Sequence, residues 1–268
     1  MYDLVNMIND SDTRLFSTAY ILRGHNDYGK QCVLDAYREI RPYNQLYSIE
    51  LIKDALLTNE KFALEEAEIS LVNYFTSKEE KYRNDEYELF EVLFPLLLKN
   101  HPKDFLLAIN SAIVKIIKQS SHEGFYGFTC TTAFYGYTSD NYSKKLLTIY
   151  EELLTRFSSD LAIMRPIVDR LMELRNETSI SMAFSAMAAN PKAYDELIRQ
   201  LIADDNEINK YLSCNIEFFY LKLIKSWYQN IGAHDAAMYQ KKVLSFKSPI
   251  DLYYNRDRRP EEQVGFDM

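Results

Sequence analysis

The chain has 268 residues, 47% of them hydrophobic, and a formal net charge of −8. It is long enough to bury a substantial core and too apolar to be a disordered chain, and its acidic balance offers no electrostatic footprint for a phosphate backbone. Seven glycines and seven prolines are few for a protein of many short strands joined by turns, so helices joined by short loops are expected.

The first ten residues, Met1 to Asp10, carry neither a basic stretch nor an apolar run before a small-residue cleavage site, so no export signal is expected. Apolar runs such as Leu93 to Leu98 fall short of the roughly 20 residues needed to cross a bilayer. Cys32, Cys130 and Cys214 are widely spaced and odd in number, as suits reduced thiols, and a cytoplasmic location is expected. His25, His101, His122 and His234 are isolated from one another and from the cysteines, so neither a metal nor another cofactor is expected.

Helical periodicity and start signals predict helices over Ser11–Leu22, Asp27–Ile40, Ser48–Leu57, Glu60–Tyr74 and Asp85–Lys99. Pro95 predicts a kink or a fresh start in the last of these. Phe105, Ile109, Ala112 and Ile116 form one stripe, widened by Leu106, Ile113 and Ile117, with Asp104 placed to cap that helix. Leu146, Ile149, Leu153 and Phe157 repeat the pattern behind capping residues at 140–143.

Between these two helices lies Gly124 to Tyr137, which holds three of the seven glycines together with Phe125, Tyr126, Phe128, Phe134, Tyr135 and Tyr137. Its rings either plug the core between two helical halves or form part of a recognition surface. Downstream, Pro166 fits the first turn of a helix ending near Leu174, and Asn190-Pro191 reads as a cap followed by a first-turn proline. A helical hairpin is expected from Ile216–Asn230 and Ala236–Leu244, with Gly232 left-handed at the end of the first helix and Asp235 capping the second. Trp227, Gly232 and Ala236 resemble the residues of a hairpin crossing in tetratricopeptide-like repeats, but the period of about 34 residues does not recur. Residues 246–268 read as an extended tail.

The expected class is therefore all-α: a single irregular helical bundle or a short solenoid-like stack of hairpins, with a Gly- and aromatic-rich loop near 120–141. One domain over 1–268 is expected; if it has two lobes, they meet near 120–141.

No phosphate-binding glycine loop, metalloprotease helix or nucleophile elbow occurs, and each of those chemistries needs that geometry. Glu65, Glu66 and Glu68 lack the Glu-x-x-His partners of a dimetal bundle and read as a solvated face. Asp204 to Glu207 has no second acidic cluster to complete a magnesium site and reads as a turn. His122 beside Cys130 has no nameable orienting group, so no catalytic residue is assigned.

The stronger signals concern interaction. Between Glu60 and Glu91 acidic residues outnumber basic ones, and Tyr74, Tyr82 and Tyr87 are interleaved with them; tyrosine supplies large, rigid contact area with a polar tip. The acidity serves solubility or attracts a basic protein partner. The candidate partner-binding residues are Glu79, Glu80, Tyr82, Asp85, Glu86, Tyr87 and Glu88, with Tyr126, Phe128, Tyr135 and Tyr137 from the aromatic segment.

In length, helicity, acidity and its Asn-, Tyr- and Lys-rich character, the chain resembles the all-helical immunity proteins of bacterial polymorphic-toxin and contact-dependent inhibition systems. The resemblance implies direct binding to a cognate toxin, often a basic nuclease domain, whose active site is occluded. It implies no enzymatic activity, no direct nucleic acid or membrane contact, and no particular oligomeric state. A helical-repeat adaptor for another protein is the alternative.

Overall fold

The computed structural model describes residues 7–10, 13–14, 17, 60–76, 88–120, 141–204, 211, 216–232, 235–237 and 239–240. The described part is 86% helical and has no strand, so the all-α class expected from the sequence holds. Its helices are α1 (Glu60–Thr76), α2 (Phe94–Asn100), α3 (Pro102–Ser120), α4 (Asn141–Arg156), α5 (Leu161–Glu173), α6 (Glu177–Ala189), α7 (Asp195–Ala203) and α8 (Glu217–Tyr228). Contacts group the chain into two compact units, one drawn from Met1–Tyr126 and Asp140–Leu153, the other from Gly127–Ser139 and Leu154–Met268.

The helices expected over 27–40 and 48–57, the segment 124–137, Cys32, Cys130, Cys214 and the tail 246–268 lie outside the described residues. Of the helix expected over 11–22, Thr13, Arg14 and Ser17 are helical. Its cap is Asp10, whose carboxylate accepts the Thr13 amide at 2.7 Å.

In the first unit α1 packs along α3. The stripe read from the sequence is the buried face of α3: Phe105, Leu106, Ile109, Ala112, Ile113, Ile116 and Ile117 are all buried. Asp104 is not the cap. Pro102, whose fixed φ suits a first helical position, starts the helix earlier, so Asp104 falls in the first turn, where its charge still complements the exposed amides.

A π-helical turn, Glu88–Leu93, runs into α2, and Pro95 falls at the first turn of the new α-helix. The sequence predicts a kink or a fresh start at Pro95; the backbone instead stays helical through Leu93 and changes from π to α hydrogen bonding just before the proline. The interface is aromatic. Phe90 packs edge-on against Phe94 at 4.9 Å, Phe94 against Phe105 at 5.0 Å, and Tyr74 against Phe75 at 4.7 Å. Tyr142 from α4 closes the cluster on Phe90 at 4.9 Å. Tyr74, read from the sequence among binding tyrosines, belongs to this packing. Deeper along α4, the Tyr150 hydroxyl donates to Asn110 Oδ1 at 2.7 Å; burial pushes that phenol well above its ordinary pKa.

One acidic residue departs from expectation. Glu66 is fully buried in α1, whereas the sequence placed it on a solvated face. The reason is helical phase: it stands one residue before Ala67 and three after Ala63, both on the buried side.

The second unit is organised around α6. Its apolar residues do not form one stripe; Ile180, Met182, Ala183, Phe184, Ala186 and Met187 are all buried, and so are Thr178, Ser179, Ser181 and Ser185. Small side chains let α5 and α8 approach it, and its hydroxyls return to the backbone, as Ser181 does to the Glu177 carbonyl at 2.8 Å. Asn176 caps it: its Oδ1 accepts the Thr178 amide at 2.9 Å, and its own N–H donates to Ser179 Oγ at 3.3 Å.

α5 starts at Leu161, so Pro166 lies inside the helix rather than in its first turn. Pro166 and Ala162 are both exposed, so the carbonyl that loses its helical donor faces water. The helix closes through Arg175, which takes φ 51° where glycine is usual. Asn190 does precede a first-position proline, but the element it starts is a short 3-10 helix, Pro191–Tyr194. Its side chain makes no cap there; the amide donates to the Ser158 carbonyl at 3.0 Å.

The hairpin expected after Ile216 is present in its first helix, and residues 235–237 and 239–240 are helical. Gly232 is not left-handed; instead its carbonyl accepts the Ala236 amide at 2.9 Å and opens the second helix. That frees Asp235 from capping.

Candidate functional site

Two arrangements of polar side chains stand out, one in each unit. The first is a groove of about 600 Å³ lined by Lys61, Leu64, Glu65 and Glu68 of α1 and by Asp104, Leu107 and Ala108 of α3. The spacing explains it. Positions 61, 64, 65 and 68 share one side of α1, and 104, 107 and 108 share one side of α3, while Ala63, Ala67, Phe105 and Ile109 hold the two helices together.

Three carboxylates and one ammonium therefore border an apolar patch. Leu107 is 44% exposed, on a helix whose other stripe is fully buried. Glu68 is fixed: it accepts the Ser111 hydroxyl at 2.7 Å and the Lys115 ammonium at 2.5 Å. Lys61 and Glu65 are 3.9 Å apart with exposed side chains, a loose pair that water screens. The groove thus combines a fixed acid, two adjustable acids and an exposed leucine, which is the chemistry of a surface that accepts a cationic group beside an apolar one.

The second arrangement centres on Arg199. Its Nε donates to Asp195 Oδ2 at 2.8 Å and its Nη2 to Asp235 Oδ2 at 2.9 Å. The guanidinium lies 5.4 Å from the Trp227 ring and 5.9 Å from the Tyr239 ring, and those rings meet edge-on at 4.9 Å. The hydrogen bond from Arg199, then that from Trp227, hold the Asp195 carboxyl below its ordinary range against the opposing effect of burial. The bonds to Asp195 and Asp235 raise the guanidinium further above its already high value. These polar groups are occupied by one another, so the cluster works as a clasp joining α7, α8, Asp235 and Tyr239.

Among the described residues no group of three His, Cys, Asp or Glu side chains is placed to hold a metal ion, and no helix is long and apolar enough to cross a membrane. The candidate binding residues Glu79, Glu80, Tyr82, Asp85, Glu86, Tyr87, Tyr126, Phe128, Tyr135 and Tyr137 lie outside the described residues. Glu88 is described through its backbone, which opens the π-helical turn.

The groove was missed by sequence reasoning, which took Glu65 and Glu68 as solvent-facing and did not weigh Leu107. A signal existed: Leu107 is the one large apolar residue of α3 between Phe105 and Ile109 that falls off the buried stripe. The pairing of Asp195 with Arg199 follows helical spacing, but its link to Trp227 joins residues 32 apart and leaves no local signature. No family model, curated protein or solved structure matches the chain.

Proposed function

We propose that this chain is an immunity-type protein that binds a cognate bacterial toxin in the cytoplasm and neutralises it by covering its active site, without catalysis of its own. The observation that carries the reading is the groove between α1 and α3, where Glu65, Glu68 and Asp104 surround the exposed Leu107. A nuclease must present basic residues to its substrate, and a partly apolar concavity whose three carboxylates outnumber the Lys61 and Lys115 ammoniums beside them, on a chain of net charge −8, is complementary to such a surface. Charge complementarity speeds encounter, and burial of Leu107 against an apolar side chain slows release.

The test is to purify the protein gently from its native source, identify the protein recovered with it, and measure association with the groove variant E65K/D104K. Slower association, with a weaker salt dependence, is expected. Recovery of small metabolites alone, or unchanged association by the variant, overturns the reading. Recovery of a protein with no toxic activity supports the adaptor alternative instead.

A further inference from the structure

Among the described residues, α8 gathers the largest group of exposed apolar side chains outside the groove. On α8, Phe219, Tyr220, Leu223 and Trp227 are buried, while Phe218 is 58%, Tyr228 39% and Leu221 37% exposed. Glu217, Lys222 and Lys225 are exposed on the same side. Large apolar side chains gathered on one helix face mark a contact surface more often than a solvated one.

The order of charges identifies the occupant. Glu217, Leu221 and Lys225 are spaced by four and form a single ridge, an acid one turn before the leucine and a base one turn after it. Turned end for end, this ridge presents a base opposite the acid and an acid opposite the base. We propose that α8 is a self-association face: two copies of this chain meet with their α8 helices antiparallel about a twofold axis at Leu221. Leu221 then meets its counterpart, Glu217 of each copy faces Lys225 of the other, and Phe218 covers the apolar seam. A helix running parallel would place like charges together. A twofold contact is self-complementary, so every favourable pair occurs twice.

One helix face supplies less than the roughly 800 Å² per partner of a standard stable interface. The dimer is accordingly weak and reversible, and concentration controls it.

The experiment is sedimentation equilibrium of the full chain at rising concentration, up to about 1 mM, with helicity checked by circular dichroism. The wild type is expected to dimerise. E217K and K225E alone should each weaken dimerisation by about tenfold, because each replaces two attractive pairs with two repulsive ones. The double variant E217K/K225E restores the pairs in reverse order and should recover the wild-type constant, while L221R should remove dimerisation. A chain that stays monomeric throughout, or a double variant no better than the singles, overturns the proposal. Neither outcome bears on the groove between α1 and α3.

Discussion

Trp227 and Asp195 are bound through the indole: Nε1 donates to Asp195 Oδ1 at 2.7 Å while Arg199 holds the other oxygen of the same carboxylate. A tryptophan that is 1% exposed thereby satisfies its only donor and fixes the acid that orients the arginine. Trp227→Phe keeps most of the buried ring surface and removes the bond. We expect a loss of about 1 kcal/mol, with the partly exposed carboxylate regaining some of its cost from water, measured by urea unfolding. A variant as stable as the wild type would remove the bond from the clasp.

The clasp also fixes the response to acid. Asp195 has its pKa lowered in the folded state, so its contribution is fully present above its unfolded value of about 3.9 and is lost as pH falls through the lower folded value. Asp195→Asn should be less stable than wild type at pH 7, and the difference should shrink as pH falls below about 4. A difference that is constant from neutral pH to acid would contradict the assignment. Thermal melts across that range measure it.

Arg175 occupies a left-handed conformation at the end of α5, where a Cβ crowds the backbone. Arg175→Gly should stabilise the protein by about 0.5 to 1 kcal/mol, the relief of crowding outweighing the added freedom of the unfolded chain. A fall in melting temperature would show that the arginine side chain contributes more than its backbone costs.

Pro166 lies inside α5 on its exposed side. Pro166→Ala restores one helical donor and removes a clash worth about 3 kcal/mol in an undistorted helix, less about 1 kcal/mol for the loosened unfolded chain. A net gain of about 1 to 2 kcal/mol is expected on that balance. Amide exchange at residue 166 and its neighbours should show the new bond as a protected site; absence of protection there would mean that α5 keeps its proline geometry.

The class and the strongest helices were readable because periodicity is local. The stripe from Phe105 to Ile117 declares which face of α3 is buried, and Pro95 marks a change within its helix whatever surrounds it. What escaped depends on a second element. Glu66 reads as one more acid in an acidic stretch until α1 is turned so that Ala63 and Ala67 face inward. The groove exists only where α1 lies along α3, and neither helix alone has concavity. Likewise Asp235 looked like a cap because nothing local foretold that Arg199 would claim it. The first-turn reading of Pro166 and the capping role given to Asp235 failed because the helices begin earlier, at Leu161 and at the Gly232 carbonyl, than the residues that usually mark a start.

The way α6 is enclosed carries a consequence for how the protein is made. Its partners α5 and α8 flank it in sequence, so while the chain is being synthesised α6 emerges with one wall already formed and the other still to come. Until Tyr211 and Tyr220 arrive, Phe184 lacks the two rings that pack against it. That half of the molecule therefore completes its core late, when α8 brings Phe219, Tyr220, Leu223 and Trp227. A chain ended before α8 would keep that flank of α6 uncovered and would be a client for a chaperone.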